Sequence, residues 1–144
     1  MTAPASDATT AARTLIRQGW ASIALWMTLG LLLEGMLGYK IPAYLNDPQR
    51  RELFRLAHAH GTLLGVLLIA GGLCIRGGVI ELQRIAAGAL RLGAIMMPVG
   101  FAVAGIWHPE GDPGIAIWLV PPGAVLVIFA AISAALASRP SRTR

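Results

Sequence analysis

The residues from Leu56 to Cys74 read LAHAHGTLLGVLLIAGGLC, and this apolar stretch decides the fold. A helix needs roughly 20 residues to cross the ~30 Å hydrocarbon layer of a bilayer, and the run is long enough to do so. It opens, however, with two imidazoles, His58 and His60, which are costly to desolvate and therefore need polar partners. The identity of those partners is the functional question that the sequence raises.

The composition of the whole chain is that of an integral membrane protein. Of 144 residues, 56% are hydrophobic and 13% are charged, and the mean hydropathy is +0.65. Soluble domains carry about twice that charged fraction, roughly 25%. The arginines stand at the ends of apolar runs, as headgroup anchors do, and form no patch with interleaved aromatic residues, so nucleic acid is not an expected partner. The single cysteine, Cys74, excludes an internal disulfide and a cysteine-based zinc site.

Four apolar runs predict an all-α fold, an integral membrane four-helix bundle that occupies residues 13–138. The expected helices lie at about 15–37, 54–75, 85–107 and 115–136. A disordered tail is expected at 1–12, where bulky apolar side chains are lacking, and a basic tail at 139–144. The first run is too long for a secretory signal and has no clean cleavage site after it, so it is expected to be a retained anchor.

The distribution of basic residues favours a topology with both termini in the cytoplasm. Seven basic residues flank the N-terminal helix, the second loop and the C-terminus, against four in the loop after the first helix. In that topology all three histidines lie toward the outer face, and Glu34 ends the first helix on the same side. The lipid bilayer is the first expected partner of this multi-pass protein.

Two stripes of mainly small residues begin or end at a histidine. The first contains His58, Gly61, Gly65, Leu68 and Gly72, and the second contains Gly93, Met97, Gly100, Ala104 and His108. Small residues allow helices to approach closely, so both stripes are expected at helix–helix contacts. His60 lies about 200° from His58 around a regular helix, which prevents the two from ligating one ion.

A haem iron or a metal ion inside a helix bundle can be bound by imidazoles from two helices. His58 and His108 are therefore the expected ligands, with His60 as the alternative on the second helix. Glu34 is expected to supply a hydrogen bond or a charge near the haem propionates. In the simpler interpretation, the histidines form hydrogen bonds to loop groups near the membrane–water interface. Glu34 then extends to the lipid headgroups.

The order of these segments resembles a known group of proteins. A glycine-bearing helix, LWMTLGLLLEGMLGY at 25–39, precedes HAHGTLLG at 58–65 and LGAIMMPVGFAVAG at 92–105. This order is similar to that of small four-helix bacterial proteins related to subunit I of haem–copper oxidases, whose second helix carries His-x-His followed by Leu-x-Leu-Leu-Gly-Trp or a close variant. The pattern is matched by His58, His60, Leu63, Leu64 and Gly65, and Gly61, Thr62 and Val66 depart from it.

The resemblance implies a haem b ligand at His58 or His60 and a location in a bacterial inner membrane. It does not imply oxygen reduction, because the remaining histidines of the oxidase binuclear centre lie on helices that this chain does not have.

Two functions of different classes follow from these features. The first is a haem-binding electron-transfer or sensor subunit with His58 (or His60) and His108 as axial ligands. The second is a non-catalytic membrane subunit that packs through its glycine stripes against a larger complex or further copies of itself. Copper or zinc held by the histidines and the acidic turn at 110–112 ranks last. An activity of its own is least expected, because the sequence offers no nucleophile–base pair and no phosphate-binding glycine loop.

Overall fold

A computed structural model describes the chain from Ala3 to Ala137, with side chains described from Ala8 onward. The long helices are α1 (Ala3–Gly38), α3 (Pro48–Arg76), α4 (Arg84–Ile106) and α5 (Val120–Ala137), and the connections hold α2 (Pro42–Leu45) and a 3-10 helix (Ile115–Leu119). Four segments, the last including the 3-10 helix, are long and apolar enough to cross a membrane. The predicted all-α class and the four apolar helices are thereby confirmed.

The four long helices contact one another in chain order, α1 on α3, α3 on α4, and α4 on α5. One core cluster spans all four and includes Leu15, Leu68, Leu90 and Ala130. A second cluster centres on Trp26, Leu53, Ala57, Phe101 and Ala104, toward the end of the bundle that carries α2 and the 3-10 helix. This second end is where the predicted site residues lie.

The start of α3 is fixed by its own sequence. Asp47 is the N-cap residue, with its side chain accepting a hydrogen bond from the Arg50 backbone N–H at 2.9 Å, and Pro48 occupies the first turn. A carboxylate cap followed by proline is a strong helix start. The helix therefore begins at Pro48, six residues before the predicted boundary at 54.

The first helix is also longer than predicted, because α1 begins at Ala3 within the segment expected to be a disordered tail. Alanine-rich sequence has a high helix propensity, and Ala12 and Leu15 are fully buried. Gly72 on α3 makes room for this contact, since a Cβ there would lie 2.8 Å from the Ala12 carbonyl oxygen. The expected basic tail at 139–144 lies outside the described residues.

Both glycine stripes lie at helix–helix contacts, as the sequence predicts. On the first stripe, a Cβ on Gly65 would lie 3.0 Å from the Gly19 carbonyl oxygen of α1. On the second, a Cβ on Gly93 would lie 2.6 Å from the Gly123 carbonyl oxygen of α5. Backbone–backbone approach at these points leaves no space for a side chain.

Candidate functional site: a groove between α1 and α3

Two rings and two glycines interlock where α1 crosses α3. The imidazole of His58 on α3 lies over Gly30 of α1, and the indole of Trp26 on α1 lies over Gly61 of α3. A Cβ on either glycine would overlap the ring above it. Each ring can therefore occupy its position only because the opposite helix has a glycine, with no side chain, at that point.

His58 is held in one orientation by a hydrogen bond to the backbone. Its Nδ1 lies 2.7 Å from the Trp26 carbonyl oxygen. A carbonyl oxygen only accepts, so Nδ1 carries the hydrogen, and the neutral ring keeps its lone pair on Nε2. The nitrogen that remains for a ligand is consequently Nε2.

The His58 ring lines an open groove of about 970 Å³ between α1 and α3. The α3 wall carries Arg51 and Arg55 on the same side as His58, at spacings of four and three residues along the helix. The α1 wall is mainly apolar and carries one carboxylate, the exposed Glu34. The α3 wall also carries the carboxylate of Glu52, so an imidazole, two guanidinium groups and two carboxylates share one groove with apolar side chains.

The two arginines were not among the residues predicted from the sequence. Arg51 also donates from Nη1 to the Leu45 carbonyl oxygen at 3.1 Å, which ties the α3 wall to α2. The signal that identifies them was present in the sequence, because residues 51, 55 and 58 share one helical face once α3 is extended back to Pro48. The predicted second helix starts at about 54 and leaves Arg51 in the connection before it, where the sequence indicates only a short interfacial helix after Pro48.

His60 points toward the other neighbour of α3. Its Nδ1 lies 2.9 Å from the Leu56 carbonyl oxygen one turn earlier, and its ring packs on Phe101 of α4 with centroids 5.0 Å apart. His58 and His60 thus lie against different helices, α1 and α4, in keeping with their separation of about 200° around a regular helix.

His108 lies beyond the end of α4, in the connection to the 3-10 helix. Its Nδ1 lies 3.1 Å from the Pro109 carbonyl oxygen, and its Nε2 lies 3.2 Å from Asp47 Oδ2 without forming a hydrogen bond. The side chain is 6% exposed and lines a separate cavity of about 540 Å³. Because α4 ends at Ile106, His108 bonds with the loops instead of continuing the stripe.

Of the four predicted site residues, the structure brings Glu34 and His58 to one groove. His60 lies against α4 and His108 in the loop cluster, so His58 and His108 do not line a common cavity. Within the described part of the chain, no three His, Cys, Asp or Glu side chains form a metal-binding group.

A charged cluster around Asp47 connects the loops to the end of α4 through an ion pair and hydrogen bonds. Arg50 pairs with Asp47 at 3.5 Å and donates to the carbonyl oxygens of Gly105 and Ala43 at 3.1 and 3.0 Å. The backbone N–H of Arg50 lowers the pKa of Asp47 below its ordinary value, and the charges of His108 and Arg50 lower it further against the opposing effect of desolvation. The cluster is therefore built around an ionised carboxylate.

The stability of the protein is expected to fall in acid partly through Asp47. Because its folded-state pKa is depressed, its contribution is present above the ordinary pKa of about 3.9 and is lost as the pH falls through the lower folded value. In Asp47→Asn, which keeps an N-cap acceptor, the unfolding midpoint in detergent should decline less between about pH 5 and 3 than in wild type. Glu110→Gln in the neighbouring loop is the control, and an equal decline in wild type and Asp47→Asn would contradict the prediction.

Comparison with protein-family models, with curated proteins and with solved structures finds no match to this chain.

Proposed function

We propose that this chain is a haem-binding integral membrane protein, for electron transfer or sensing, in which His58 Nε2 is the iron ligand. The observation that carries the proposal is the hydrogen bond from His58 Nδ1 to the Trp26 carbonyl oxygen, together with the position of the ring on the groove wall. Metal-binding histidines usually donate their other ring N–H to a carbonyl or carboxylate, which fixes the tautomer and the ring plane.

The other groups of the groove suit the remainder of a haem. Its volume of about 970 Å³ lies at the upper end of the range for cofactor pockets, which is roughly 300–1,000 Å³. The apolar α1 wall, with Leu31 and Leu33, suits the macrocycle, and the guanidinium groups of Arg51 and Arg55 suit the two propionate carboxylates. Glu34 and Glu52 place two negative charges in the same groove, where they oppose the two arginines.

A bound haem supplies one-electron chemistry or a site for a diatomic ligand. The chain holds the iron through one imidazole, because His60 is turned to α4 and His108 to Asp47. We therefore expect one histidine ligand for each copy of the chain, in place of the His58–His108 pair that the stripes suggest.

The proposed setting is a bacterial inner membrane with both termini in the cytoplasm. The excess of basic residues at the three expected cytoplasmic segments supports this orientation. The groove then opens in the outer leaflet, at the end of the bundle that carries α2.

The test is the visible spectrum of the full chain purified after expression with added haem precursor. Wild type, His60→Ala and His108→Ala should show a Soret band, and His58→Ala should lose most of it. A Soret band that survives in His58→Ala contradicts the assignment of the ligand. Wild type without a Soret band contradicts the haem proposal and favours the second function, a non-catalytic subunit whose groove packs against a partner helix.

A further inference from the structure

A second polar site lies at the opposite end of the bundle, where α1 passes α4. Arg91 donates from Nε to Gln18 Oε1 at 2.8 Å, and Gln18 Nε2 donates back to the Arg91 carbonyl oxygen at 2.8 Å. A guanidinium carries five N–H groups, and this contact uses one of them. Its partner is a neutral amide, so the contact leaves the positive charge of Arg91 uncompensated.

Arg91 carries this uncompensated charge well inside the apolar sequence of α4. It follows Arg84, the first residue of α4, by seven residues, which is about 10 Å along a helix axis. Among the described residues, the hydrogen bond to Gln18 is the one polar side-chain contact of its guanidinium. A cation inside the apolar part of a spanning helix needs a counter-charge or a route to the headgroups.

A cleft of about 320 Å³ lies beside this guanidinium. It is lined on α4 by Arg84, Gly88 and Arg91 and on α1 by Thr10 and Thr14. Residues 84, 88 and 91 share one face of α4. A Cβ on Gly88 would have no atom within 4 Å, so the floor between the two arginines is open space.

We propose that this cleft binds an anionic phosphate group, which the headgroup of an anionic phospholipid can supply in the membrane and the zwitterionic headgroup of phosphatidylcholine cannot. Arginine forms paired hydrogen bonds with phosphate oxygens, and the Arg91 guanidinium beside the cleft uses one of its five N–H groups in the contact with Gln18. Basic pockets between transmembrane helices are known sites for anionic lipid headgroups. Arginine side chains are long enough to reach the headgroup region from within a spanning helix, so Arg91 can meet a headgroup phosphate in the cleft.

The experiment measures the thermal unfolding midpoint of the purified full chain in a neutral detergent with three additions, namely phosphatidylglycerol, phosphatidylcholine and inorganic phosphate. Phosphatidylglycerol should raise the midpoint of wild type. Arg91→Gln and Gly88→Leu should lose most of that rise, the first by removing the charge and the second by filling the floor. Arg76→Gln, which removes a charge near the same end, and Gly88→Ala, which leaves most of the space, are the matched controls that should keep it.

Each outcome of this experiment either supports or overturns the proposed site. A rise with inorganic phosphate alone, lost in the same two variants, supports the phosphate site and assigns it to the free anion. An equal rise with phosphatidylcholine overturns a site for anionic phospholipid. An unchanged response to phosphatidylglycerol in Gly88→Leu, which retains both arginines, overturns the cleft as the site even if Arg91→Gln fails to fold.

Discussion

Gly19→Leu is expected to prevent α1 from packing on α3 and to leave little folded protein. A Cβ at Gly19 would lie 2.6 Å from the Gly65 carbonyl oxygen and 3.1 Å from the Ile69 backbone nitrogen. Side chains can rotate away from an intruding group, but backbone atoms of a helix cannot move without the whole helix. Overpacking in a core costs about 1–3 kcal/mol when side chains yield, and separation of α1 from α3 should cost more.

The measurement is the fraction of protein that remains folded during a denaturant titration of the purified chain in detergent micelles. Gly35→Leu is the matched control, because it makes the same change in the same helix where a Cβ would meet nothing within 4 Å. Gly19→Ala should lie between wild type and Gly19→Leu. Equal midpoints for Gly19→Leu and Gly35→Leu would show that the α1–α3 contact is not as close as the structure has it.

The fold followed from features that are local in sequence. Apolar runs of spanning length predicted the helices, and the recurrence of Gly61, Gly65 and Gly72 predicted a contact face, because both features depend only on helical geometry and the thickness of the membrane. The sequence could not say which helix meets that face. The partner of α3 at these glycines is α1, and that pairing depends on complementary shapes such as Trp26 over Gly61.

The candidate site was harder to predict than the fold. The sequence predicts His58 and Glu34 at the same end of the bundle, and both line one groove. The spacing of the second stripe predicts His108 in the same site, but that spacing has meaning only while the helix continues. The helix ends at Ile106, and the imidazole of His108 beyond it lies 3.2 Å from Asp47 Oδ2. Loop contacts decide whether a residue just beyond a helix end stays on the helical face. Such contacts cannot be predicted from the spacing of residues along the helix.

Gly30→Ala and His58→Ala are expected to be strongly coupled, with the effect of the first depending on whether the His58 ring is present. In wild type, a Cβ at Gly30 would overlap the His58 ring, so the ring must leave the Trp26 carbonyl oxygen. The cost combines a lost hydrogen bond, about 1 kcal/mol, with overpacking of about 1–3 kcal/mol. When residue 58 is alanine, the space over Gly30 is vacant and the same substitution should be nearly neutral.

A double-mutant cycle on the unfolding free energy measures this coupling, which should reach about 1–3 kcal/mol for groups in direct contact. Gly35→Ala, measured with and without His58→Ala, supplies the control cycle and should give a coupling near zero, since its Cβ would have no neighbour within 4 Å. The cycle needs no haem, so it tests the position of the imidazole separately from its proposed ligand. If Gly30→Ala were equally costly in both backgrounds, the ring would not lie over Gly30, and the orientation that directs Nε2 to a ligand would lose its support.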